Sequence, residues 1–225
     1  MIVFADENLN LMSFPVEDFT SLTWEQGWTA PGDWKLSLHP SEYDKLKDAA
    51  YIFYSECGWG VVESIEYAAS TFSMGGRELS AIVDNYVISS PYNASGRLET
   101  ACRSLITTYS NIGLGTDNGF DTAVSTTIER GSLMERLYEA LTPRGMSFKV
   151  SVDIDNHGFV FDVLRGNNLT SYQQNYPWVI LGESKGNITG AKYTRNSRDY
   201  KNYVVINVGD DENPTILEYD FRDVL

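Results

Sequence analysis

The chain has 225 residues, with 17 Lys and Arg against 31 Asp and Glu, a formal net charge of -14, and 42% hydrophobic residues. That is enough apolar material for one large domain or two small ones, while a field of this sign repels phosphate backbones and anionic bilayers, so neither nucleic acid nor membrane is expected as a partner. Aromatic residues make up 13% of the chain, including 14 Tyr and 5 Trp, which favours strands and extended interfaces over a helical bundle.

The first segment, IVFA, is predicted as a short strand, followed by the polar turn Asp6 to Asn10. Phe14 to Thr20 then leads into SLTWEQGW, where Leu22 and Trp24 share a face, and together these give a first hairpin. Pro31-Gly32-Asp33 is a turn signal, because Pro presets the first turn dihedral and Gly accepts positive φ at the second. In the strand after it, Trp34, Leu36 and Leu38 alternate with Lys35, Ser37 and His39. Pro40-Ser41-Glu42 opens a short helical turn. Strands are then predicted for YIFYSE and WGVVESIEYAA, and for STFSM up to a break at Gly75 and Gly76, with a short helix over Glu78 to Asp84.

Composition shifts at Ser89 to Asn93. From Ser95, Leu98, Cys102, Leu105, Ile106 and Tyr109 recur at helical spacing, and Glu99 and Arg103 are placed for an i,i+4 ion pair. Asn111 to Thr122 is predicted as a Gly- and Asp-rich loop. A second helix runs from Ser132 to Pro143-Arg144-Gly145, with Leu133, Leu137, Tyr138 and Leu141 as its stripe. MSFKVSVDID and GFVFDVLRG form a hairpin with Phe148, Val150 and Val152 opposite Phe159, Phe161 and Val163. Finally, Ser184 to Gly209 reads as two strands around Asn196 to Asp199, and the run YVVINV from Tyr203 predicts a strand buried on both faces.

The expected fold class is therefore α+β. A β-barrel-like domain of residues 1–90 plus 183–225 is interrupted by an inserted α+β domain of residues 91–182, two helices on an antiparallel sheet. The strand at Tyr203 to Val208 is expected to pair with strands from residues 1–90.

No catalytic, cofactor-binding or metal-ligating residue is nominated. His157 sits in DIDNHGF, whose spacing suggests a calcium loop until its twelfth position, counted from Asp153, proves to be Leu164. His39 is the one other histidine, and two are too few for an imidazole zinc site. Cys57 and Cys102 make no metal spacing, and ECGWG offers no basic neighbour to activate Cys57 as a nucleophile. Neither a G-x-S-x-G elbow nor a P-loop occurs. Met1 to Asn10 lacks the basic start and apolar stretch of a secretory signal, so synthesis in the cytoplasm is expected and the sequons at Asn93, Asn168 and Asn187 are read as chance matches.

Three stretches carry a resemblance: Trp28 followed by Pro31-Gly32 and the strand Trp34 to Leu38, the Gly-Arg-Glu-Leu segment Gly76 to Leu79, and Gly186-Asn187 leading to Tyr200 to Asn202 and a β run. In this order, and with the helix around LETACRSLI, the chain resembles the tail-component family of long-tailed bacteriophages, itself similar to baseplate hub proteins. The resemblance implies a non-enzymatic structural protein of the virion tail, a hub between tail tube and tip that assembles as a trimer with other tail proteins as partners. Two other classes remain open on the residues alone: a tail-associated cell-wall hydrolase or peptidase, and a carbohydrate-binding module using exposed Trp and Tyr. Trp24, Trp28, Trp34, Trp59 and Trp178 are the candidate core or interface anchors.

Overall fold

The structure is a computed structural model that describes residues 1–12, 15–167, 172, 177, 203–208 and 215–220. The chain divides into two compact units, Met1–Asn167 and Asn168–Leu225. The first begins with strands β1 (Ile2–Ala5), β2 (Ser21–Trp24) and β3 (Asp33–Leu38), helix α1 (Tyr43–Leu46), and strands β4 (Tyr51–Tyr54), β5 (Gly58–Val61), β6 (Ser64–Ala68) and β7 (Thr71–Arg77). They form two antiparallel sheets, in the orders β1-β4-β5 and β2-β3-β7-β6.

The period-two pattern of β3 decides its orientation. Trp34, Leu36 and Leu38 are buried, and across the strand pair Leu36 meets Met74 and Leu38 meets Phe72, which are buried too. With Ile2, Phe4, Leu46 and Ile52 they form one hydrophobic core, each large side chain contributing about 1.5–3 kcal/mol of burial. His39 starts the helical turn after β3, its side chain accepting from the Ser41 N–H while Pro40 takes the first helical position.

The expected break at Gly75 and Gly76 does not occur, because β7 runs through both to Arg77. A Cβ on Gly76 would lie 1.9 Å from the Val61 carbonyl oxygen, so the glycine is there to let another backbone approach the strand. The expected first hairpin also takes a different form. Ile2 and Ala5 make single bridges to Val16 and Leu11, while β2 pairs with β3.

A 3-10 segment, Leu79–Asn85, leads into β8 (Val87–Ile88), β9 (Tyr92–Arg97), helix α2 (Leu98–Tyr109), β10 (Gly113–Leu114), β11 (Ala123–Ile128), β12 (Gly131–Ser132), helix α3 (Leu133–Leu141), β13 (Met146–Asp153) and β14 (Gly158–Arg165). Both helices bury most of the stripe that their spacing predicts, Leu98, Cys102, Leu105 and Ile106 in α2, where Tyr109 is only half-buried, and Leu133, Leu137, Tyr138 and Leu141 in α3. Ser132 caps α3, its hydroxyl accepting from the Glu135 N–H at 3.3 Å.

The β13–β14 hairpin takes the predicted register, with Phe148 opposite Val163, Val150 opposite Phe161 and Val152 opposite Phe159. These side chains and the helices form a second core that starts at Leu79. A T-shaped contact between Tyr51 and Phe159, 5.4 Å between ring centroids, brings β4 against this hairpin.

Four strands were not expected, β9 to β12, and β12 pairs antiparallel with β8. β11 pairs antiparallel with β9 over six residues, and β10 runs parallel to β14. In β11 the buried residues are Val124 and Ile128, four apart and separated by Ser and Thr, which gives neither a strand nor a helix signal.

In the second unit, β15 (Tyr203–Val208) pairs antiparallel with β16 (Thr215–Asp220). Tyr203 and Ile206 in β15 are exposed, where burial on both faces was expected. Residues 184–202, the leading half of the expected hairpin, lie outside the described residues. The fold class is mixed α+β, mostly strands in several sheets, and among the described residues no sheet closes into a barrel.

Candidate functional site

Two of the three stretches singled out in the sequence meet in space. Trp34 of β3 pairs with Gly76 of β7, and its indole N–H donates to the carbonyls of Val61 at 3.1 Å and Arg77 at 3.2 Å. One residue further along, the Glu78 carboxylate accepts from the N–H groups of Gly27 at 3.0 Å and Gly32 at 2.9 Å, both through Oε2. Glu78 in turn donates its own N–H to the Gly32 carbonyl at 2.8 Å. The loop of residues 25–32 is thus tied at both ends to one side chain. Gly32 is required because a Cβ there would lie 1.9 Å from the Glu25 carbonyl oxygen.

The other side of the loop is held from the second core. The Ser147 hydroxyl donates to the Trp28 carbonyl at 2.6 Å, across 119 residues of sequence. A cleft of about 400 Å³ lies between this loop and β13, lined by Trp28, Trp59, Cys57, Glu78, Lys149 and Ser151 among others. Trp28 is 40% exposed, and Trp59 is half-buried with its ring against Phe53 at 5.2 Å. Arg77 stands beside the strand end, its guanidinium on Glu63 at 2.7 Å and on Asp84 at 3.6 Å, and the carboxylates hold it more firmly charged.

The other tryptophans divide by role. Trp34 is 3% exposed and belongs to the first core, with Trp24 stacked on it at 5.8 Å and 18° between planes. Trp178 lies outside the described residues.

A second polar constellation supports the fold beside α2. Glu99 is fully buried and accepts from the Asn118 N–H at 2.8 Å, the Phe120 N–H at 2.9 Å and the Arg97 guanidinium at 3.0 Å. The expected Glu99–Arg103 pair is therefore not made. Arg103 donates instead to the carbonyls of Gly115 and Thr116, both at 3.1 Å, so that both side chains fasten the 111–122 loop to the helix. Neither Glu78 nor Glu99 was legible as an organiser. Their partners are backbone groups far along the chain, which no side-chain motif encodes.

The residues weighed for chemistry are occupied with structure. His157 closes the β13–β14 turn at φ 47, its Nδ1 2.9 Å from the Asn8 carbonyl oxygen. The Asp153 carboxylate accepts from both the N–H and the side-chain amide of Asn156. His39 Nδ1 lies 2.8 Å from the Ser41 hydroxyl. Among the described residues no group of three or more His, Cys, Asp or Glu side chains is placed to hold a metal ion. Burial pushes the Cys57 thiol up, reinforced by Glu56 and Glu78, the opposite of what a nucleophile needs. The Cys102 thiol, buried in α2, is pushed up to about 12. No described helix is long and apolar enough to cross a membrane.

No curated protein matches the chain. Among solved structures, prophage tail protein gp18 from Listeria monocytogenes EGD-e is similar over 99% of this chain and 68% of its own, with a TM-score of 0.58 at 14% identity, which shows a shared fold. The 43 kDa tail protein of prophage MuSo2 from Shewanella oneidensis is similar over 90% of this chain and 69% of its own, with a TM-score of 0.45 at 16% identity. A model of the Siphovirus ReqiPepy6 Gp37-like protein family matches residues 1–219, and the chain belongs to that family.

Proposed function

We propose that the chain is a structural component of a bacteriophage or prophage tail, a baseplate hub protein that joins tail tube to tail tip by assembling as a trimer with other tail proteins. The observation that carries this reading is the fold likeness to a prophage tail protein over 99% of the chain, joined to membership of a siphovirus family. The protein acts by assembly and not by catalysis, and works in the virion tail. Exposed apolar side chains support the reading: Tyr67 on β6, Val87 on β8, Ile154 at the β13–β14 turn, and Ile206, Ile216 and Leu217 in the second unit. Of these, Ile206 and Leu217 lie opposite one another across β15 and β16, and adjoining exposed apolar side chains are what subunit interfaces cover.

In the assembled hub, residues 1–90 and 183–225 form one barrel domain around the inserted residues 91–182. Support for a separate β domain comes from the first core, which draws its buried residues from Ile2 to Met74. Light scattering tests the stoichiometry, with a mass three times 25.3 kDa expected. Electron microscopy of the same sample is expected to show a ring with a central channel. A chain that stays monomeric at high concentration, alone and when mixed with the neighbouring tail proteins, would sink the proposal.

A further inference from the structure

We propose that the cleft between the 25–32 loop and β13 binds a neutral glycan. Its volume of about 400 Å³ falls within the range of about 300–1,000 Å³ common to small-ligand sites. Two indoles line it. Trp28 presents 40% of its surface to solvent although its backbone is fixed, with its carbonyl on Ser147 and its loop on Glu78. An exposed aromatic on an immobilised loop gives up little conformational freedom when a ligand arrives. Trp59 is backed by Phe53, which fixes the indole in the cleft wall.

Besides the indoles and the apolar Leu79, Phe148 and Val150, the lining carries polar groups. Glu78 uses only Oε2 for the loop amides, which leaves Oε1 as an acceptor, and Lys149 is exposed with no carboxylate partner among the described residues. Gln26 and Ser151 add donors and acceptors at the same cleft. A pyranose ring is the ligand class that matches both halves. Its C–H face carries the partial positive charge that an indole face attracts, and its hydroxyls each need a donor or acceptor at the rim.

Charge selects against the acidic members of that class. Glu78 and Lys149 offset one another within the cleft, so it is the -14 of the whole chain that repels uronic, sialylated or phosphorylated sugars and leaves a neutral one unaffected.

The experiment is an array of neutral and acidic oligosaccharides, with short peptides as a third set, probed with the full chain and with Trp28→Ala. Binding is expected on neutral oligosaccharides, with at least a tenfold loss in the variant at unchanged circular dichroism and melting temperature. Hydroxyl-radical footprinting of the unaltered chain with the strongest neutral oligosaccharide is expected to protect Trp28 and Trp59, which reads the site without any substitution. The proposal is overturned if no neutral oligosaccharide binds, if binding is confined to acidic sugars or peptides, if Trp28→Ala binds as well as the parent, or if the footprint leaves both indoles unprotected.

Discussion

Around Trp34 the chain packs glycine and backbone against an indole, whereas around Leu105 and Phe161 it packs aliphatic and phenyl side chains against one another. In the first region Gly76 brings β7 against the Val61 carbonyl, and Trp34 satisfies two backbone acceptors while filling the core. In the second, Phe161 is fully buried, with Phe148 at 5.4 Å and Tyr138 tilted against the ring of Phe148 at 4.6 Å. The contrast teaches how each region is damaged. A side-chain core loses stability when atoms are removed, and a backbone-packed region when atoms are added.

The largest effect is expected in the second region. Phe161→Ala leaves a cavity and is expected to cost about 3–5 kcal/mol, and Glu99→Ala strands the loop amides of Asn118 and Phe120, at about 1–3 kcal/mol for each amide, while Arg97 keeps Asp117 as its partner. Urea unfolding measures both. A loss below about 1 kcal/mol for Glu99→Ala would mean that water replaces the carboxylate and that the 111–122 loop is not fastened through it.

Gly76→Ala comes next, at about 3 kcal/mol from a methyl group forced onto a backbone oxygen that has no flexible side chain to yield. The double variant Gly76→Ala with Phe161→Ala sharpens the comparison, since the two costs should add to within about 0.5 kcal/mol if the regions are energetically separate. A larger coupling would merge them into one.

The smallest effect is electrostatic and exposed. Hydrogen bonds from Arg97 and from the Gly119 N–H hold the Asp117 carboxyl below its usual 3.8. A depressed carboxylate contributes stability that is present above 3.8 and disappears as pH falls through its lowered value. Melting temperature followed against pH should therefore show a small gap between the parent and Asp117→Asn at pH above 3.8 that closes in acid. A gap that widens in acid would reverse the sign of the interaction.

How much of this was readable beforehand follows the same division. The helices and the β13–β14 hairpin were legible because their apolar residues recur at a fixed period, so Leu98 to Ile106 and Phe148 to Val152 declare both element and face. Gly75 and Gly76 were misread as a break because a glycine's reason is the neighbour that approaches it, and Val61 lies fifteen residues away in sequence. The same holds for the candidate site. Trp28 and the Gly-Arg-Glu-Leu segment were visible as separate features, while the two glycine amides that join them through Glu78 carry no side chain that a pattern could record.

The bond between the Ser147 hydroxyl and the Trp28 carbonyl also bears on the order in which the molecule forms. Its partners are 119 residues apart, and closing so long a loop is entropically worthwhile only after each strand system has assembled around its own core. The tryptophan cleft is then a product of late folding. Substitutions at Ser147 should leave the refolding rate nearly unchanged and appear in the unfolding rate.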